Sequence, residues 1–384
     1  ALADANAARR ALTQVVDAED ATPEQRAEAL ALRSTVQRDD DRKMADINRA
    51  VELVPKLPDY LRLRAQHYFR AQKFDEALAD IDKALELEED HAQSHELRGM
   101  ILMGMKRNEE AVKSFDRASE LAPENVAPLL VRAGVNFEMK ENDRALEDID
   151  KAIELQPQLV QPYLMRAEIL AATERMDEAI TELEKLLEMA PNQPQILLQL
   201  STFYLIDEQT DKAIDTFNKI LQQDPENFRA LRFRADAYLN TGQHEEAIAD
   251  FERIINREEV DDGILNNFAW VLATSPDDEL RDGKRAVELA TKAAEQTNYE
   301  KPHILSTLAA AYAETGDFEN AKKWSAKSVE LAHKAVESAE SDAERERLQK
   351  EEEQLKKELA SFEEGKPVRE RQTAEKADDE DRSA

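Results

Sequence analysis

Apolar and polar positions along this chain follow a helical period, in blocks parted by short polar turns. One such pair of blocks runs from Ala92 to Met105 and from Glu109 to Leu121, with Lys106-Arg107-Asn108 between them. The paired block then recurs. Ala stands at Ala77, Ala111, Ala145, Ala179, Ala213 and Ala247, each 34 residues from the next. In the same phase a small residue stands at Ala65, Gly99, Ala133, Ala167, Ser201 and Ala235. A large apolar residue stands at Ile81, Phe115, Ile149, Leu183, Phe217 and Phe251, and Pro at Pro123, Pro157, Pro191 and Pro225. The small columns let two helices approach closely, and the bulky column fills the space between successive pairs. Pro ends the second helix, because it lacks an N–H and clashes with the preceding turn. Basic residues close the first helices (Lys73, Lys106, Lys140) and acids open the second (Asp75, Glu109, Asp143), as the helix dipole favours. The columns predict six uniform helix pairs over residues 58–261.

The alternation of small, bulky, Ala and Pro columns resembles the tetratricopeptide repeat. That resemblance implies an all-α fold, an α-α superhelical solenoid of antiparallel helix pairs. The units are 58–91, 92–125, 126–159, 160–193, 194–227 and 228–261. Residues 24–57 keep the register through Ala31, Ile47, Ala50 and Pro55, with Lys43 in place of the second-helix Ala. Residues 262–300 form a longer unit, with extra residues around Ser275 to Gly283, and 302–335 form the last. Residues 1–23 read as a partial repeat and linker: Ala1-Leu2-Ala3-Asp4 repeats the tetrapeptide Ala77-Leu78-Ala79-Asp80, as if the chain began within a repeat. Leu348, Leu355, Leu359 and Phe362 mark an amphipathic capping helix within 336–365. The charged, aperiodic residues 366–384 read as a disordered tail. The Asn266-Asn267-Phe268-Ala269-Trp270 stretch, the Arg281-Asp282-Gly283 loop and Gly365-Lys366-Pro367 resemble a bacterial group of such proteins, which implies a bacterial cytoplasm or periplasm.

Composition narrows the chemistry. The net charge is −31, unsuited to nucleic acid or to an anionic membrane surface. No cysteine is present, which excludes disulfides and thiolate metal sites. No apolar run reaches the roughly 18 residues of a membrane span. Gly99 and Gly104 have a phosphate-loop interval, but Met105 follows where Lys would be needed. His91 and His95, four apart beside Glu88, Glu89 and Asp90, suggest a metal pair but lack a third ligand of defined spacing. A solvated inter-repeat turn, with His95 at a helix-packing position, is the favoured account, and no metal or cofactor is expected. An arginine column (Arg64, Arg98, Arg132, Arg166, Arg234) is expected to pair with acids of the second helices.

The resemblance implies a non-catalytic scaffold, monomeric, whose first helices line a concave groove for a protein or peptide partner. The alternative is a recruiting or regulatory region of a larger enzyme. Groove positions give Arg62 and Gln66, then Gln93, Glu96 and Met100, then Leu130, then Leu164 and Glu168, then Leu198 and Thr202. The later units add Arg229, Arg232 and Asp236, and finally Asn266 and Trp270. An apolar middle with arginines toward each end implies a partner segment with an apolar centre and acidic flanks. Simple helix packing is the competing account of Leu130, Leu164 and Leu198. The loop Ser275 to Leu280 is a second candidate surface.

Overall fold

In the computed structural model, which describes residues 2–370, the chain folds as stacked pairs of α-helices. It forms two compact units, residues 1–182 and 183–384. Unit 1 contains α1 (Leu2–Asp17), α2 (Pro23–Val36), α3 (Asp40–Leu53), α4 (Pro58–Arg70), α5 (Phe74–Leu87), α6 (Ala92–Gly104), α7 (Asn108–Leu121), α8 (Val126–Glu138), α9 (Asn142–Leu155) and α10 (Val160–Ala172). The boundary falls inside α11 (Met176–Met189). Unit 2 continues with α12 (Pro194–Ile206), α13 (Thr210–Gln223), α14 (Phe228–Asn240), α15 (His244–Ile254), α16 (Asp262–Thr274), α17 (Gly283–Gln296), α18 (Pro302–Glu314), α19 (Phe318–Glu337) and α20 (Asp342–Glu363).

The sequence columns become the core. Ala77, Ala111, Ala145, Ala213 and Ala247 are wholly buried, as are Ile81, Phe115, Ile149, Phe217 and Phe251. Gly99 belongs to the small column for a steric reason: a Cβ there would lie 2.7 Å from the Phe115 ring.

The turns inside the six uniform pairs are built alike. Gln72, Lys106, Lys140, Glu174, Glu208 and Gly242 all take positive φ, at the 34-residue interval of the repeat. The next N–H reaches back to close the first helix, as Arg107 donates to the Leu102 carbonyl and Gln243 to that of Tyr238. This is a Schellman closure, for which glycine is the unstrained residue. Of these six residues only Gly242 is a glycine, and Gly316 takes the same place between α18 and α19.

The arginine column is a ladder. Arg64 holds Asp80, Arg132 holds Asp148 and Arg234 holds Asp250, each 16 residues ahead on its own second helix. The same guanidinium groups reach 16 residues back, to Asn48, Asp116 and Asn218 on the preceding second helix. Arg33 plays the same part between α1 and α3, through Thr13 and Asp46. The column lapses at Leu200, where the Tyr204 hydroxyl instead donates to Glu184 at 2.6 Å.

Near the C-terminus the boundaries differ from those read in the sequence. The last second helix, α19, runs on to Glu337, and the capping helix starts at Asp342 rather than 336. Ser341 decides this, because its side chain accepts the Glu344 N–H as an N-cap. Leu355 and Phe362 of the expected stripe are buried against the preceding helices. Residues 366–370, expected to open a disordered tail, return to the body of unit 2: Glu370 N–H donates to the Thr274 carbonyl at 2.9 Å. Residues 371–384 lie outside the described residues.

Candidate functional site

The first-helix positions chosen from sequence fall into two groups. In unit 1, Arg62 is engaged by Asp59 and Glu88, and Gln66 is exposed. Met100 packs beside Phe115 and Val135. Leu130 keeps 8% of its surface and clusters with Val126, Leu129 and Ala152, so it is mainly a packing residue. Leu164 is half-buried. In unit 2, Leu198 is half-buried and Arg229 exposed, while Arg232 pairs with Asp261 at 2.9 Å. Arginines 62 and 232 thus already have carboxylate partners of their own, which weakens the acidic-flank expectation.

Asn266 and Trp270 are different. Successive turns of α16 carry them to the wall of a chamber of about 1070 Å³ inside unit 2. Asp236 of α14, His303 and Ser306 of α18 and Leu348 of α20 line the same space. A chamber of this size is at the upper end of ligand-binding pockets. His303 and Ser306 occupy the second and fifth places of their unit, so the groove register carried one unit further would have found them. The α20 residues had no such signal, because the cap lies outside the 34-residue phase.

Electrostatics in the chamber are uneven. Burial pushes the Asp236 carboxyl above its usual range, against an Asn267 hydrogen bond and the nearby Arg232 charge. Burial also raises Glu370, against the opposing influence of the nearby Trp270 indole. His303 is held below the ordinary imidazole value, chiefly by burial. Glu358, itself buried, accepts from Ser306 and Gln354 and has no cation within ion-pair distance among the described residues. Arg347, by contrast, is paired with Glu351 at 2.6 Å.

Ser275, His244 and Glu370 lie in a row, with Ser275 Oγ hydrogen-bonded to His244 Nδ1 at 3.0 Å and Glu370 facing Nε2 at 3.4 Å without a hydrogen bond. Ser275 is wholly buried, so its hydroxyl cannot meet a substrate, and the trio is structural. His91 and His95 likewise have separate local tasks. His91 Nδ1 accepts the Ser94 N–H as the N-cap of α6, and His95 Nε2 bonds the Glu89 carbonyl. The Ser275–Leu280 loop is tied down from within, since Arg281 donates to the Ser275 carbonyl and pairs with Glu314.

Models of the tetratricopeptide repeat match residues 58–91 and 302–334, and a model of the ARM repeat of tetratricopeptide repeat protein 21 matches 89–251. The chain is a tetratricopeptide repeat protein. A solved structure agrees on the fold. The C-terminal part of a TPR repeat-containing protein from Cytophaga hutchinsonii aligns at TM-score 0.52 and 16% identity, covering 63% of this chain and 97% of its own. A tetratricopeptide repeat protein from Parabacteroides merdae gives 0.47 at 19% identity, over 66% and 98%. YrrB, described as a TPR protein with an unusual peptide-binding site, gives 0.39 at 22% identity, over 49% and 97%. No curated protein matches the sequence. Membership in this repeat family supports a protein-interaction scaffold. No helix among the described residues is long and apolar enough to cross a membrane.

Proposed function

We propose that this tetratricopeptide repeat protein is a non-catalytic scaffold whose chamber in unit 2 holds a helix or extended segment of a protein partner. One observation carries the reading: Trp270 stands on a first-helix face at the wall of a large, partly polar chamber. Aromatic side chains with apolar surroundings and a polar handle dominate binding energy at interfaces. Asn266 and Ser306 add groups that can donate to and accept from a peptide backbone. The carboxylates of Asp236 and Glu358 favour a segment that brings a basic or donor-rich side chain.

Affinity capture tests this, with the unmodified chain compared against Asn266→Ala/Trp270→Ala once circular dichroism shows both folded. The expected result is a partner retained by the first and lost by the second, with at least a tenfold weaker affinity by calorimetry, as removal of an aromatic anchor costs about 2 kcal/mol. Equal retention by both would place binding away from the chamber and defeat the proposal.

A further inference from the structure

Residues 366–370, just after α20, are bound, and what binds them is a built seat. Gly365 at φ 73° ends α20, and Lys366 N–H donates to the Ser361 carbonyl, which turns the chain back across unit 2. It arrives at the last turn of α16. The carbonyls there have no following helical N–H to accept from. Arg369 and Glu370 supply what is missing: an Arg369 N–H lies 3.5 Å from the Ala273 carbonyl, and Glu370 N–H donates to Thr274.

Both side chains meet side chains already in place there. The Arg369 guanidinium pairs with Glu314 of α18 at 2.7 Å. The Glu370 carboxylate lines the chamber wall beside the Trp270 indole and faces His244 Nε2 at 3.4 Å. His244 is 5% exposed, and its ring is oriented by Ser275 Oγ on the other nitrogen. The seat therefore reads one residue by a carboxylate and helix-end carbonyls, and the next by an indole and an imidazole.

We propose that the C-terminal end of α16, with Glu314, His244 and Trp270, is a docking seat for an extended Arg-Glu segment. The chain fills it in cis with Arg369-Glu370, and the filled seat closes one side of the Trp270 chamber. A partner segment with the same basic-then-acidic pattern competes for it. Tethering gives the cis segment an effective concentration in the millimolar range, so a short free segment must exceed that to compete. The inference rests on the proposed function only for the use of the chamber. The seat and its closure are tested without a partner.

The chain has two tryptophans, so Trp324→Phe leaves Trp270 as the sole indole fluorophore. In that background Arg369→Ala/Glu370→Ala is expected to raise acrylamide quenching of Trp270 about twofold, with the helical circular dichroism unchanged, because a detached local segment exposes what it covered. The amidated peptide Gly-Lys-Pro-Val-Arg-Glu, added at several millimolar, is expected to restore the low quenching. The same peptide with Ala for Arg is expected not to. Glu370→Gln alone serves as a milder second variant, with a smaller rise in the same direction. Unchanged quenching in both variants overturns the closure. Raised quenching that the peptide does not reverse overturns the seat. Failure to capture any partner would count against the chamber's proposed use and leave both of these readouts standing.

Discussion

Two glycines in neighbouring first helices show how one side chain's surroundings set its meaning. Gly99 sits against Phe115, where an added Cβ would fall 2.7 Å from the ring, whereas a Cβ at Gly134 would meet no heavy atom within 4 Å. Gly99→Ala is expected to destabilise unit 1 by about 2 kcal/mol through overpacking. Gly134→Ala is expected to stabilise it by about 1 kcal/mol, since glycine is a poor helix former. Urea unfolding of the two variants checks both signs. A loss at both positions would mean that position 134 is less open than the structure shows. The small-residue column already set Gly99 apart in the sequence, and the neighbour across the helix pair shows what that smallness accommodates.

Among the helices, the arginine ladder ties each pair to the one before it. Asp148 keeps 6% of its surface and Asp250 2%, so each depends on its arginine for charge compensation. Arg132→Met would leave Asp148 buried and unpaired, at an expected cost of about 3 kcal/mol. Arg132→Met/Asp148→Leu is expected to recover most of that loss, because replacing both members removes the stranded charge. Chemical denaturation of the single and double variants decides the point; a double variant as unstable as the single would mean that Arg132 acts mainly through Asp116 or packing. The exposed pairs on the second helices, such as Arg117 with Glu120, would contribute much less, as surface ion pairs generally do. The sequence showed the arginine column and the acids. It did not show that one guanidinium bridges two second helices.

Taken as a whole, the molecule carries 83 acidic and 52 basic residues. Like charges repel most in the folded state, where they are held closest. Screening at 0.1 M salt acts beyond about 10 Å and leaves the shorter, part-buried ladder contacts largely intact. Raising sodium chloride from about 10 to 200 mM is therefore expected to increase the thermal midpoint by about 3 °C, read by circular dichroism. A fall would show that ion-pair attraction outweighs net repulsion.

The sequence by itself determined the all-α class, the period and the identity of the core columns. A helix pair that recurs every 34 residues must place equivalent side chains in equivalent contacts, so the pattern and the packing are the same information. Asn266 and Trp270 were legible for that reason, and His303 and Ser306 would have been by the same register. Three matters were left to the tertiary structure. Arg62 and Arg232 had their own acids waiting, Leu130 was drawn into packing, and α20 closed a chamber that no periodic position announces. The docking of Arg369-Glu370 is the clearest case: the two residues lie near the start of a charged, aperiodic stretch, and their neighbours Thr274, Glu314, Trp270 and His244 are distant in the chain. Contacts made once, between segments far apart in sequence, leave no period to read. Only the folding of unit 2 brings them together.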